Sequence, residues 1–508
     1  MTPQTALFKT KDGKNHLFTF AFICSLFFLW AFCNSMIDSM DKHFQDFLHL
    51  SKRESAWVQF AHYLGYFLMA LPAGWLTQKL GYKNGILSGL LIVSLGALWF
   101  IPATKIATFW AFLLGVCIIS MGLTFLETIA NPYVTVLGPA KYAATRINLA
   151  QSFNGLGWPL GPLVGGLFFY ASESAGGAEA ANETLWIPYA GIGVFVFILF
   201  LLFLFVKLPD LVGEEIDQTK TDSTSAASEN QTIRYTFMLL NLFVLSFAIA
   251  TILIAFCSIF NLNTHTLHWI FAITVILPSL YGAFHLKSLN QNISPQNVWS
   301  YPHFSGSTIA QFFYVAAQAG TFAFFMNYVT EELPPLPEIF HGSWILGGAE
   351  GSILKGETWK VTERGATKLL SIAFGLFILG RFTGASLLKK YPAHHILGIY
   401  GLINVILMLI VTLQFGWISV IALFLSFFFM SIMYPTIFAL GIFGLGEKAK
   451  VASSFIVMAI MGGAILPKAM GWFGDHYNMS IGFIVPMFCF IVVSIYGFIW
   501  SKLSLKSL

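Results

Sequence analysis

Charge is what this chain has least of: Asp, Glu, Lys and Arg make up 10% of its 508 residues, against roughly 25% in soluble domains. So few charges cannot cover a water-facing surface. The 57% hydrophobic content is instead gathered into recurring apolar runs, of about 20 residues each, sufficient to cross a hydrocarbon core about 30 Å thick as a helix. The runs are continuous rather than alternating, which excludes a transmembrane β-barrel. Cysteine is also scarce: Cys24, Cys33, Cys117, Cys257 and Cys489 all sit in apolar segments without paired spacing, so they read as small packing residues and call for neither disulfides nor metal. The 12 histidines show no HExxH or other metal-ligand spacing, and no cofactor or enzymatic centre is expected. Lys9, Lys11 and Lys14 precede the first apolar run, but no small-residue cleavage site interrupts it before Asp38; the first span is expected to stay in the mature chain. The net charge of +4 points to no nucleic-acid partner; the expected partners are the lipid bilayer and a small molecule, with the chain working as a monomer.

Hydropathy places helices near 18–40, 56–78, 84–103, 107–138, 147–170 and 185–207, then two runs at about 235–260 and 267–285, then six more near 304–330, 366–388, 395–413, 417–444, 450–473 and 481–501. Between the sixth and seventh runs, Pro209 to Gln231 carries Glu214, Glu215, Asp217, Lys220 and Asp222 with a Thr/Ser/Ala stretch, the composition of a flexible linker. The expected organisation is an N-terminal six-helix half at 1–208, a cytoplasmic linker at 209–234, an extra hydrophobic pair at 235–285 and a C-terminal six-helix half at 286–508. With the N-terminus inside, most of the 27 Lys and Arg residues fall on cytoplasmic loops, which predicts both termini in the cytoplasm. An even span count leaves this parity unchanged, so charge does not distinguish twelve spans from fourteen. The pair at 235–285 has no acidic residue and reads as a dispensable insert.

The two halves share a plan. Asn131 to Gly138 aligns with Tyr434 to Gly441, and Ala150-Gln151-Ser152-Phe153 with Ala452-Ser453-Ser454-Phe455. Duplicated halves of this kind build transporters whose substrate site lies near mid-membrane. The fold class is therefore an all-α polytopic membrane protein of two six-helix halves with an extra helix pair between them, 12 + 2 spans.

Two carboxylates stand out. Glu127 lies in SMGLTFLETIANPYVTVLG, Ser120 to Gly138, where an ionisable group at membrane depth costs about 2.5–3.5 kcal/mol and so faces a bundle interior or cavity. Asn131 and Pro132 follow it, and the proline removes an internal helix hydrogen bond, so that the freed carbonyls must find partners or line a cavity. Asp38 ends the first long apolar run, with Asp41, Lys42 and His43 close behind; it reads either as an interfacial cap or, with Glu127, as a stepwise proton route, since a desolvated carboxylate exchanges protons near neutral pH. Met430 is the counterpart of Glu127 in the second half, so proton chemistry falls to the first. Gln151 and Asn154 share one helical face with amides matched to hydroxyls. Gly157, Gly161 and Gly165 on the same helix suit close packing. Gln311, Gln318 and Asn327 on the seventh helix, and Tyr434 beside Pro435, are the remaining polar and aromatic candidates; Tyr434 is placed to stack on an apolar sugar face.

Gly74 to Lys83 and Gly384 to Tyr391 resemble the cytoplasmic loop signature of the major facilitator superfamily, with Gln78 where an aspartate is usual. FLETIANPYVTVLGP, NLAQSFN, MSIMYPTIFALGIFGLG and SSFIVMAIMGGAILP resemble its fucose permease branch, the fucose–galactose–glucose:proton symporters. The resemblance implies alternating access by a rocker switch, essential acidic positions at Asp38 and Glu127, and sugar-facing positions at Gln151 and Asn154; Gln318, Asn327 and Tyr434 complete the expected substrate site. It implies proton-coupled import of a monosaccharide, L-fucose or a related hexose, at the cytoplasmic (inner) membrane, with sodium as the other open coupling ion. Ile37 stands where the family commonly has asparagine, and the pair 235–285 and the segment Glu331 to Lys368 are additions. A drug:proton antiporter is the alternative; the helix-five amides disfavour it.

Overall fold

The computed structural model describes residues 7–9, 13–47, 52–160, 186–209, 224–259, 264–291, 297–346, 348, 351–355 and 357–504. With no water in a bilayer core, the backbone must satisfy its own hydrogen bonds, and the apolar runs are accordingly helical. The first are α1 (Leu17–Phe47), α2 (Lys52–Leu98), the short α3 (Phe100–Ile106), α4 (Phe109–Val136), α5 (Ala143–Gly157) and α6 (Trp186–Phe205). The 47 residues of α2 would be roughly 70 Å long as one helix. They form two spans instead, because Gly81 has φ 79 and ψ 172, a conformation open to glycine and strained for any residue with a Cβ.

After these come α7 (Thr224–Ile259) and α8 (Thr264–Gln291), then α9 (Pro302–Ala323) and α10 (Phe325–Glu331), which meet at a 41° bend. The remaining helices are α11 (Glu363–Leu387), α12 (Ala393–Thr412), α13 (Trp417–Met430), α14 (Met433–Gly441), α15 (Ala449–Met458), α16 (Gly462–His476), α17 (Met479–Gly482) and α18 (Ile484–Leu503). Among the described residues 11 helices are long and apolar enough to cross a membrane, or 12 with the bent pair taken as one span. The latter part of the expected fifth span, 161–170, lies outside the described residues, as do Gly161 and Gly165.

Two features depart from the expectation. The segment read as a linker to Gln231 is already helical from Thr224, where α7 begins; its Ser, Ala and Glu residues are compatible with helix once an apolar run follows to propagate it. The segment after Glu331 contains a two-stranded antiparallel hairpin, β1 (Ser352–Lys355) and β2 (Thr358–Val361), which together are the strands among the described residues.

Contacts divide the chain into two compact units. The first comprises Met1–Ile216 with Ile442–Ile460, and the second Asp217–Gly441 with Met461–Leu508. In the first unit α2 and α4 approach closely on glycines: a Cβ at Gly122 would lie 2.5 Å from the Val93 nitrogen, and one at Gly96 would lie 2.7 Å from the Ile119 nitrogen. Gly157 meets α1 in the same way, 2.5 Å from the Phe28 carbonyl oxygen. Small residues at such crossings let helix backbones approach where lipid supplies no hydrophobic drive between helices. The α6 residues Phe195, Ile198, Leu202 and Phe205 are exposed, as a hydrocarbon surround permits.

In the second unit, α7 and α8 form an antiparallel pair closed by the Tyr235 hydroxyl donating to the Ala283 carbonyl at 2.8 Å. The pair is anchored on α9 by both ends of one amide: Asn241 Nδ2 donates to the Ser305 carbonyl at 2.8 Å, and Thr308 donates its hydroxyl to Asn241 Oδ1. The far side of α8 exposes Trp269, Ile273, Leu277, Tyr281 and Phe284.

The glycine crossing gives a direct test. Gly122→Val is expected to force α2 and α4 apart at a cost of about 1–3 kcal/mol, read as a lower thermal midpoint of the detergent-solubilised protein.

Candidate functional site

Each unit carries its own polar cluster, built around a proline-interrupted helix. In the first unit α4 is buried along nearly its whole second half, from Ser120 to Thr135. Pro132 has no N–H to give the Thr128 carbonyl, the partner it would have in an unbroken helix. Ser453, on α15 of the same unit, takes the place: its hydroxyl donates to the Thr128 oxygen at 2.9 Å. Gly74 makes room beside it, since a Cβ there would lie 2.7 Å from Ser454 Oγ.

Glu127 is 4% exposed. With Leu26, Phe27, Trp30, Leu126, Ala130 and Gln151 it lines a pocket of about 220 Å³, its open mouth included. Gln151 is 3% exposed and donates Nε2–H to Asn131 Oδ1 at 3.1 Å, so α5 presents its amide to the face of α4 that carries the carboxylate. Asn154, one turn on and 1% exposed, is engaged elsewhere: Nδ2 donates to the Phe27 carbonyl of α1 at 3.2 Å, and Oδ1 accepts from Trp158 Nε1 at 3.3 Å. The structure thus brings Glu127 and Gln151 to one pocket, and puts Asn154 at the α1–α5 seam. Asp38 lies on α1, but its side chain is outside the described residues.

Three contributors were not apparent from sequence. Tyr66 on α2 brings its hydroxyl to Glu127 and accepts a hydrogen bond from Trp30 Nε1; in a chain with 17% aromatic residues no single Tyr or Trp signals itself. His62, one turn earlier, pairs Nδ1 with Ser120 Oγ at 2.8 Å. Arg146 is fully buried and gathers carbonyls: Val134, Thr135, Gly138, Pro139 and, from the N-terminal segment, Leu7. It thereby caps the C-terminal end of α4, where helix carbonyls lack intrahelical donors and the dipole favours a cation. A lone Arg beside an apolar run was the available signal.

In the second unit the proline device is repeated. Pro435 frees the Ser431 carbonyl, and Arg381 Nε donates to it at 3.1 Å while the guanidinium lies over the Phe377 ring. Tyr434 is buried on α14, its ring 6.3 Å from that of Tyr314, whose hydroxyl donates to the Met430 carbonyl at 2.9 Å. Gln318 is half-buried on α9. Asn327 lies beyond the bend, exposed, with Nδ2 3.4 Å from Glu331 Oε1; the bend separates it from the Gln318 segment. Gln311, on α9, is fully buried, and neither end of its amide meets a protein partner. Among the described residues no His, Cys, Asp and Glu side chains form a metal-holding group.

Stacked spans, glycine-mediated crossings and a buried carboxylate on a proline-broken helix define a polytopic membrane transporter. The comparisons place it more closely. The model of the Major Facilitator Superfamily matches residues 18–335, and the chain belongs to that superfamily, in its fucose permease branch. It is 31% identical to the L-fucose-proton symporter of Escherichia coli (strain K12), over 96% of this chain and 94% of the relative. It is 25% identical to a glucose/galactose transporter of Brucella abortus biovar 1, over 97% of each. The crystal structure of the E. coli fucose:proton symporter superposes with a TM-score of 0.68 at 30% identity, covering 96% of this chain and 100% of that one.

The Arg146 cap generates a test. Lysine offers a point charge in place of a planar fork, so Arg146→Lys is expected to lose about 1.5–3 kcal/mol of stability; thermal unfolding in detergent measures it, and rescue by lysine to wild-type stability contradicts the fork argument.

Proposed function

We propose that this protein is a proton-coupled symporter that brings a monosaccharide, L-fucose or a related hexose, into the cell by alternating access. The observation that carries the reading is Glu127, buried beside Gln151 at one pocket, in a chain whose relatives are an L-fucose-proton symporter and glucose/galactose transporters. A carboxylate with aromatic walls and a neighbouring amide has the two chemistries that symport requires: a group that gains and loses a proton, and a group that exchanges hydrogen bonds with hydroxyls. Those relatives are transporters and not enzymes, and they carry sugars, which speaks against a drug:proton antiporter.

Within this reading Asp38 and Glu127 exchange the proton, and Gln151, Asn154, Gln318, Asn327 and Tyr434 are the candidate sugar contacts. Gln151 is the strongest of these, because it lines the pocket; Asn154 acts first by holding α5 to α1 through the Phe27 carbonyl. The protein works as a monomer in the cytoplasmic membrane with both termini inside, in two halves at 1–208 and 286–508 joined through the linker and the extra pair. Sodium is the competing coupling ion.

The test is uptake of labelled L-fucose, D-galactose and D-glucose into proteoliposomes under an imposed pH gradient, and separately under a sodium gradient. Accumulation is expected with the pH gradient. Glu127→Gln and Asp38→Asn are expected to abolish it, and Gln151→Ala to weaken apparent affinity by up to about tenfold, the loss of one hydrogen bond. Accumulation by Glu127→Gln equal to wild type, or driving by sodium alone, overturns the proton assignment.

A further inference from the structure

The hydroxyl of Tyr66 has one hydrogen to donate, and its surroundings decide where that hydrogen goes. Trp30 Nε1 is a donor with no acceptor capacity, and it points at the Tyr66 oxygen. The phenol must therefore accept there. The acceptor left for the Tyr66 hydrogen is the carboxylate of Glu127, which interacts with it. Both rings are held in place: Trp30 packs edge-on to Trp158 at 6.3 Å, and Tyr66, which is buried, lies 5.0 Å from the His62 ring.

We propose that Tyr66, oriented by Trp30, is a positioning residue that sets the proton affinity of Glu127. The inference rests on the reading of Glu127 as a proton site. A donor directed at a carboxylate favours its ionised form, and at membrane depth the ionised form needs that help most. Tyr66 thus lets Glu127 release its proton where burial by itself would hold the proton on.

The other titratable groups on elements packed against α4 have their own engagements. His62 is paired with Ser120, Arg146 with the carbonyls at the end of α4, and Lys450 of α15 lies over the Tyr82 ring at 4.9 Å. Asp38 on α1 has its side chain outside the described residues.

The experiment is a pH titration of the infrared carboxylic-acid C=O band on the detergent-solubilised full chain, with no sugar present. Glu127→Gln identifies the band by removing it. In Tyr66→Phe, which keeps the ring and deletes the donor, the midpoint of that band is expected to move to higher pH by about one unit, one hydrogen bond's worth of proton affinity. Trp30→Phe, which leaves the phenol free to turn, is expected to move it in the same direction by less. If Glu127→Gln removes no titrating band, the proton-site reading itself fails. If it does remove one, and the midpoint stays put or falls in Tyr66→Phe, the role of Tyr66 is overturned while Glu127 stands. Should Tyr66→Phe not yield folded protein, Trp30→Phe decides by its smaller shift in the same direction, and an unchanged midpoint there overturns the proposal. A structural role for Tyr66 would lower stability without moving the midpoint.

Discussion

A helix carbonyl in hydrocarbon has no water to turn to, and the organisation of both polar clusters follows from that constraint. Pro132 and Pro435 each remove an N–H from a buried helix. The orphaned oxygens, Thr128 and Ser431, are met by Ser453 and by Arg381. Each repair fixes a neighbouring element against the broken helix, α15 on α4 in the first unit and α11 on the α13–α14 junction in the second. The same demand explains Arg146. The carbonyls after the end of α4 converge on one guanidinium, which also collects the Leu7 oxygen from the N-terminal segment. A cation that would be costly alone is satisfied on all sides because the backbone around it is equally in need of donors.

Close packing makes these repairs geometrically accessible. Glycine at 122, 96 and 157 brings backbones within reach of one another, so that hydroxyls and amides as short as Ser, Thr and Asn span the remaining distance. Asn241 illustrates the point for the α7–α8 pair. One amide uses both its donor and its acceptor on α9, tying the hydrophobic hairpin to that helix. The pair is thus joined to its unit by specific bonds as well as by apolar contact.

The chemical inequality of the halves follows from what stands before each proline. Glu127 precedes Pro132 by five residues and Met430 precedes Pro435 by five. The same backbone device therefore supports a titratable group in one unit and an apolar one in the other, where the nearby polar groups are the phenols of Tyr314 and Tyr434 and the Arg381 guanidinium. Aromatic side chains shape both clusters. In the first they also act as hydrogen-bonding partners, since Trp30 and Tyr66 each carry a polar tip on an apolar body.

By itself the sequence determined the membrane class, the succession of spans, the duplicated plan and the presence of Glu127, Asn131 and Gln151 within apolar spans, because apolar run length, proline and intramembrane charge are local signals that survive without neighbours. It also determined that the carbonyl freed by Pro132 either finds a donor or lines a cavity. It did not say which donor: Ser453 is more than 300 positions away, and that pairing exists only once helices are stacked. The small β-hairpin after Glu331 and the early start of α7 escaped the apolar-run reading for a related reason, being polar segments whose structure hydropathy does not address. Tyr66, Trp30 and His62 were hidden among many aromatic and apolar neighbours, and which of them meets the carboxylate was decided by helix rotation and crossing. Asn154 shows the limit from the other side: its spacing from Gln151 placed both amides on one face, yet packing gave one to the pocket and the other to the Phe27 carbonyl, since a three-residue offset on a crossed helix meets a different neighbour one turn away.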